Sequence, residues 1–224
     1  MSKKIYYKIE SKFPQIRIFK SIYDKIAGKW VPRRYKYLFE IVRENKARNI
    51  MEIGTFNGAH AFEMIEEAKK NFRPQEISYY GFDLFELLNN EINVKEFAKV
   101  PPSLQEIQYK LKETGANINL YKGHTKDTLP NVIHGLPEMD FIYIDGGHSL
   151  ETIENDWEYA RKVMGLKTVV IFDDYWNRDD SGCKKLVEEM DRNKFNVEIL
   201  PIQDRFKKDW GTLKINFVKV TRKK

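Results

Sequence analysis

The sequence predicts an α/β fold, a doubly wound and mostly parallel sheet with helices on both faces. Three observations carry this. Short apolar runs alternate with helical stretches between residues 49 and 193, and two strand-like runs in succession end the chain. The 224 residues are 42% apolar, with 14 Phe, 12 Tyr and 4 Trp, which is ample material for a packed core and excludes disorder over most of the chain. A single cysteine, Cys183, excludes an internal disulfide and a multi-cysteine zinc site. No run approaches the length of a membrane span, and charges recur through Lys29 where a secretory signal would be apolar, so a cytoplasmic protein is expected.

The elements follow in order. From Phe13 to Ile26 apolar residues recur at three or four with Lys12, Arg17, Lys20 and Lys25 between them, an amphipathic basic helix ended by Gly28. Pro32 opens a second helix through about Lys46, with Tyr35, Leu38, Phe39 and Val42 on one face. Residues 1–48 thus read as a basic helical extension or cap, and 49–224 as the main domain. Such apolar stripes are read as packing faces in preference to a membrane anchor. Strands are expected at Asn49–Ile53, Ile77–Phe82, Asn117–Tyr121, Met139–Ile144 and Thr168–Phe172, with helices at about 58–70, 103–114, 150–163 and 182–193. Asn196–Pro201 and Thr212–Thr221, joined by a polar loop with Gly211, suggest an antiparallel hairpin on the sheet edge.

Charge is uneven. Residues 1–48 hold 14 Lys/Arg against 4 Asp/Glu, residues 205–224 hold 8 against 1, and the stretch between holds 17 against 28. Basic ends on an acidic body can meet nucleic acid, an anionic surface or a phosphorylated substrate. The excess is dispersed, which favours a solubilising surface.

Chemistry concentrates at strand ends. The first strand runs into Glu52-Ile53-Gly54-Thr55-Phe56-Asn57-Gly58, a glycine-bearing turn into a helix that lets backbone approach a ligand. Its E-x-G-x-x-x-G spacing is not the three-glycine pattern that seats a pyrophosphate, so a dinucleotide is disfavoured. Asp83 ends the second strand, where a carboxylate can accept two ribose hydroxyls. Asp145 and the pair Asp173-Asp174 end two neighbouring strands. Three carboxylates near one point repel unless something positive lies between them, and a hard cation such as Mg²⁺ suits such oxygen ligands. His148 follows Gly146-Gly147 and can be a metal ligand, a general base or a helix-capping neighbour of Ser149. His60, His124 and His134 have no comparable setting, although His124 and Thr125 follow the third strand.

These residues resemble a known family. From about Ile50 to Lys219 the chain resembles class I S-adenosylmethionine (SAM)-dependent methyltransferases, most closely the macrocin O-methyltransferase-like and cephalosporin-hydroxylase-like enzymes that act on sugars and small molecules. The resemblance implies a Rossmann-like seven-stranded sheet of order 3-2-1-4-5-7-6 with the last strand antiparallel. It implies that Glu52, Gly54, Thr55 and Gly58 line the methionine half of SAM, that Asp83 takes the ribose, and that Gly123-His124-Thr125 lie beside the adenine. The most specific part is Ile144-Asp145-Gly146-Gly147-His148-Ser149 with Phe172-Asp173-Asp174-Tyr175, whose three aspartates hold Mg²⁺ in relatives with known metal sites. Macrocin-type enzymes carry a second Asp where this chain has Gly147, which leaves His148 as the candidate base.

The expectation is therefore O-methyl transfer from SAM to a hydroxyl of a sugar or small polar metabolite. Asp145 serves the cofactor and the metal, His148 takes the proton, and Tyr175 and Trp176 either wall the acceptor or lie buried under the cap. A nucleic-acid methyltransferase and a catalytically silent SAM-binding module are the rivals, with no specific nucleic acid and no transmembrane segment expected and a homodimer left open.

Overall fold

The computed structural model describes residues 32–89, 96 and 101–223. The expected first helix, Phe13–Ile26, lies outside the described residues. Residues 33–223 build one compact unit whose elements, in chain order, are α1 (Tyr35–Glu44), β1 (Asn49–Ile53), α2 (Ala59–Ala68), β2 (Ser78–Asp83), α3 (Leu104–Lys112), β3 (Asn117–Lys122), α4 (Thr125–Val132), β4 (Met139–Ile144), α5 (Leu150–Ala160), β5 (Met164–Trp176), α6 (Lys184–Glu189), β6 (Phe195–Lys208) and β7 (Gly211–Arg222). Among the described residues, no helix is long and apolar enough to cross a membrane.

The seven strands form one sheet in the order β3-β2-β1-β4-β5-β7-β6, as the sequence led us to expect. β1 to β5 are parallel, and β7 runs antiparallel between β5 and β6. Successive side chains on a strand face opposite sides, so each strand feeds two cores. Met51, Ile53, Ile142, Ile144, Val170 and Phe172 enter one with Leu129, Trp157 and Val187 from α4, α5 and α6. Ile50, Phe141, Tyr143, Val169, Ile171 and Phe217 enter the other, against Leu38 and Val42 of α1, Met64 and Ile65 of α2, and Ile107 and Leu111 of α3. The predicted face of α1 therefore does pack on the sheet, with Tyr35 and Phe39 at its margin.

Local signals account for the helix starts. Ser103 and Glu106 close a capping box on α3, and Ser149 caps α5. α4 was not expected: it is short, buries Leu129 and carries Pro130 inside, so its apolar period is faint. The edge hairpin is longer than its apolar runs. β6 continues through polar residues to Lys208, passing Pro201 where its register on β7 shifts between Ile199 and Gln203.

Candidate active site

The turn after β1 is pinned on both sides. Gly54 N–H donates to the Phe82 carbonyl at 2.8 Å, and Asp145 N–H donates to the Ile53 carbonyl at 2.8 Å. Gly54 sits at φ +94, and a Cβ there would overlap the Asp145 carbonyl, so both the backbone angle and the space require glycine. Phe56, itself at φ 46, donates its N–H to Asp83 Oδ2 at 2.7 Å, while Asp83 Oδ1 accepts from Phe85 N–H at 2.9 Å. The strand-end acid is thus attached to the glycine turn, as the sequence placed it. Burial raises the Asp83 carboxyl above its ordinary range, and the Phe85 and Phe56 amides offset part of this.

Glu52 and Thr55 lie beneath this turn. Glu52 is fully buried and accepts a hydrogen bond from the Tyr79 hydroxyl, which is 3.1 Å from Thr55 Oγ1. Burial pushes the Glu52 carboxyl up to about 8, against the lowering effect of Tyr79. Gly58, at φ +65, is the N-cap of α2. His124 is the N-cap of α4, and Thr125 opens that helix. The Thr125 hydroxyl bonds Asp156 of α5, whose carboxyl burial pushes up to about 7.

The three acids at the ends of β4 and β5 are neighbours, but strand parity divides them. Asp145 and Asp173 continue the face of Tyr143 and Ile171, toward α1 and α2. Asp174 sits at φ 58, in a bulge where the pairing of β5 with β7 shifts between Phe172 and Tyr175. Its Oδ2 lies 2.8 Å from His148 Nε2. Burial, with the negative charge of Asp173, raises the Asp174 carboxyl. His148 is also raised: burial alone would lower it, but the hydrogen bond and charge of Asp174 prevail.

On the other face, the positive group between the carboxylates is Arg34, which reaches in from the start of α1. Its Nε donates to Asp173 Oδ1 at 3.0 Å and its Nη2 to Oδ2 at 2.9 Å, while Nη1 donates to Asp204 of β6 at 3.0 Å. Burial alone would raise Asp173, but the charge and hydrogen bonds of Arg34 hold its carboxyl below the usual range. The Tyr143 hydroxyl lies 3.0 Å from both Asp145 Oδ2 and Asp173 Oδ2. A phenol has one hydrogen, so it donates to only one of the two carboxyl groups at a time. Burial and the charges of Asp173 and Asp174 push the Asp145 carboxyl well above the ordinary range.

This arrangement does not fit the expected Mg²⁺. Both oxygens of Asp173 hold Arg34, Asp174 is turned to His148, and among the described residues no group of three His, Cys, Asp or Glu side chains converges as a metal site. The expectation foresaw a positive charge among the acids, but Arg34 lies in the segment read as a solubilising extension.

Three further residues enter the site. His60, set aside in the sequence, projects from α2 with Nδ1 3.8 Å from Asp145 Oδ2 and its ring 4.3 Å from that of Tyr35. Tyr143 was read as one more apolar strand residue. Glu96 accepts from Ser149 N–H and Oγ at 2.8 Å, and its carboxylate fills the space that a Cβ at Gly147 would need. Trp176 is buried with Leu213 and Ile215, its indole N–H bonded to the Ser181 carbonyl and its ring 5.3 Å from that of His148. Tyr175 packs on the other side, against the core of α4 to α6.

Comparison with known proteins agrees with this fold. TomG, an O-methyltransferase from Streptomyces achromogenes solved with SAM, superposes with a TM-score of 0.57 at 17% identity, over 83% of this chain and 78% of that one. An O-methyltransferase from Bacillus cereus in complex with SAH gives 0.57 at 18% identity, over 88% of this chain and 84% of that one. A precorrin-6y C5,15-methyltransferase from Geobacter metallireducens gives 0.54 at 14% identity, over 88% and 92%. At these identities the likeness shows the fold. No curated protein is significantly similar to the chain. A family model described as a methyltransferase domain matches residues 51–175, which run from β1 through the glycine turn and Asp83 to the acids of β4 and β5. With more than half of the chain and each of these strand ends inside that model, the chain belongs to the methyltransferase domain family.

Proposed function

We propose that the chain is a SAM-dependent O-methyltransferase acting on a hydroxyl of a sugar or small polar metabolite. The observation that carries this reading is the join between two features: the glycine turn that holds Asp83 abuts the Asp145 backbone. A cofactor lying on the turn would therefore present its reactive end to the acids of β4 and β5. Asp83 accepts the ribose hydroxyls, Gly54 and Gly58 admit the methionine half, and His124 and Thr125 flank the adenine. Glu52 and Thr55 support the turn from beneath. SAM, when bound, supplies a methyl group on a sulfonium and leaves as a neutral sulfide.

The chain's own task is to orient the acceptor and take one proton. The side chains of Asp145 and His148 are 20% and 21% exposed, so each keeps some access to solvent. Asp145 hydrogen-bonds and positions the acceptor, and the His148–Asp174 pair receives the hydroxyl proton. Trp176 backs the imidazole. Residues 1–48 are proposed as a basic extension of the 49–224 domain, and α1 from that segment completes the site.

Calorimetry with SAH tests the cofactor claim. Wild type should bind, and Asp83→Ala should bind about ten- to a hundredfold more weakly, the worth of a charged hydrogen bond. Absence of binding in wild type, or equal binding in the variant, would overturn the assignment. In a screen of hydroxyl acceptors, His148→Ala should lower turnover by about 10² or more while SAH affinity stays unchanged.

A further inference from the structure

The carboxylates of this site already have their cation. Asp173 is the acid that a divalent ion bridging β4 and β5 would need, and its side chain is 2% exposed. Its Oδ1 accepts from Arg34 Nε at 3.0 Å and from the Asp174 amide at 2.7 Å. Its Oδ2 accepts from Arg34 Nη2 at 2.9 Å and from the Tyr143 hydroxyl at 3.0 Å. An ionised carboxylate offers about four acceptor positions, and all are taken. Arg34 is enclosed in turn. Nη1 is bound to Asp204, and the guanidinium carbon lies 4.7 Å from the centre of the Tyr35 ring and 5.3 Å from that of Phe217. A guanidinium stays charged at every pH at which a protein is folded, so the positive charge here is permanent.

We propose that Arg34 is the resident cation of the site, standing where a divalent metal would neutralise the strand-end carboxylates, and that this chain works without such a metal. The inference rests on the methyltransferase reading but not on the identity of the acceptor. Arg34 does not reach the open part of the site, and acts as a positioning residue. It fixes Asp173 beside the Tyr143 hydroxyl, which lies 3.0 Å from both Asp173 and Asp145. The positive charge thereby stays enclosed with Asp173, where a metal-loaded site would present its cation to the acceptor.

A buried bridge with a merely structural role would look the same at rest, so the test is whether removing the guanidinium opens a metal site. Manganese binding is followed by electron paramagnetic resonance in the full chain with SAH present, for wild type, Arg34→Ala and Arg34→Lys. Wild type should show no saturable Mn²⁺ binding, and its SAH affinity should be the same with EDTA as with Mg²⁺. At about pH 8, where a carboxylate freed of its partner is driven to ionise, Arg34→Ala should bind Mn²⁺ at least about tenfold more tightly than wild type. Its melting temperature should rise with Mn²⁺, as mass action requires, while that of wild type should not. Arg34→Lys keeps the charge and should behave as wild type toward the ion.

Saturable Mn²⁺ binding in wild type that Asp173→Asn abolishes would overturn the proposal, as would a folded Arg34→Ala that gains no affinity. Should Arg34→Ala fold with Mn²⁺ but not without it, the ion has replaced the guanidinium, which supports the proposal. Should it fold in neither, the wild-type titration decides. Failure of wild type to bind SAH would count against the methyltransferase reading, while the Mn²⁺ titration would still judge Arg34.

Discussion

Glu52 shows how one buried acid can set a pH dependence. Burial lifts its carboxyl to about 8 from an ordinary value of 4.5, so it is neutral in the folded chain at pH values where the unfolded chain is ionised. Between those limits the folded state binds the extra proton. The stabilisation is complete below about 4.5 and is lost progressively as pH rises through about 8. Glu52→Gln, which cannot ionise, should have a flatter stability profile across that window. Urea denaturation at several pH values measures this, and parallel profiles for the two proteins would refute the assignment. Residues of this kind divide by the range of their partners. Asp83, Asp145 and His148 were legible because each lies within a few positions of the strand end that aims it. Arg34 was not, because its partners Asp173 and Asp204 stand 139 and 170 positions away. In sequence it is one basic residue among many.

At the level of elements, the β1 turn and the β5 bulge do the aiming. Gly54→Ala would place a side chain in the left-handed region and push it into the Asp145 carbonyl. Backbone strain and overpacking together should destabilise the protein by about 3 kcal/mol, read by urea denaturation, and SAH binding should fall with it because the turn and Asp83 move together. A variant as stable as wild type would mean that β1 and β4 are less tightly joined than the hydrogen bonds indicate. The parallel strands were read to within a residue or two, since each is a buried apolar run with turn residues at its ends. β5 was read short. Its last four residues, Asp173 to Trp176, look like a loop because they open with two acids at a bulge, yet Tyr175 and Trp176 are paired with β7. Regular alternation would itself turn Asp174 away from Asp173, and nothing local announces that it then meets His148.

Across the whole molecule, Arg34, Asp173 and Asp204 tie the N-terminal helix, the last parallel strand and the edge hairpin into one bridge. Asp204 accepts the Arg33 and Arg34 backbone N–H groups at 2.9 and 3.2 Å as well as the Arg34 guanidinium, so the hairpin holds the chain just before α1. One positive charge between two buried negative ones makes the three positions unequal. Removing either acid leaves a neutral pair, whereas removing Arg34 leaves two carboxylates buried together. Arg34→Met should therefore be the most destabilising single change, by about 3–5 kcal/mol near neutral pH, with Asp204→Asn and Asp173→Asn each costing less. The triple variant Arg34→Met, Asp173→Asn, Asp204→Asn, which buries no charge, should recover part of the loss. Acid should narrow the gap for Arg34→Met, because protonating Asp173, no longer held by the guanidinium, removes the repulsion. Urea denaturation of the four variants at neutral and acidic pH measures this. If Arg34→Met proved no worse than Asp204→Asn at neutral pH, the bridge would be held by packing on Tyr35 and Phe217, not by charge. The cation assigned to the site would then lose its electrostatic basis.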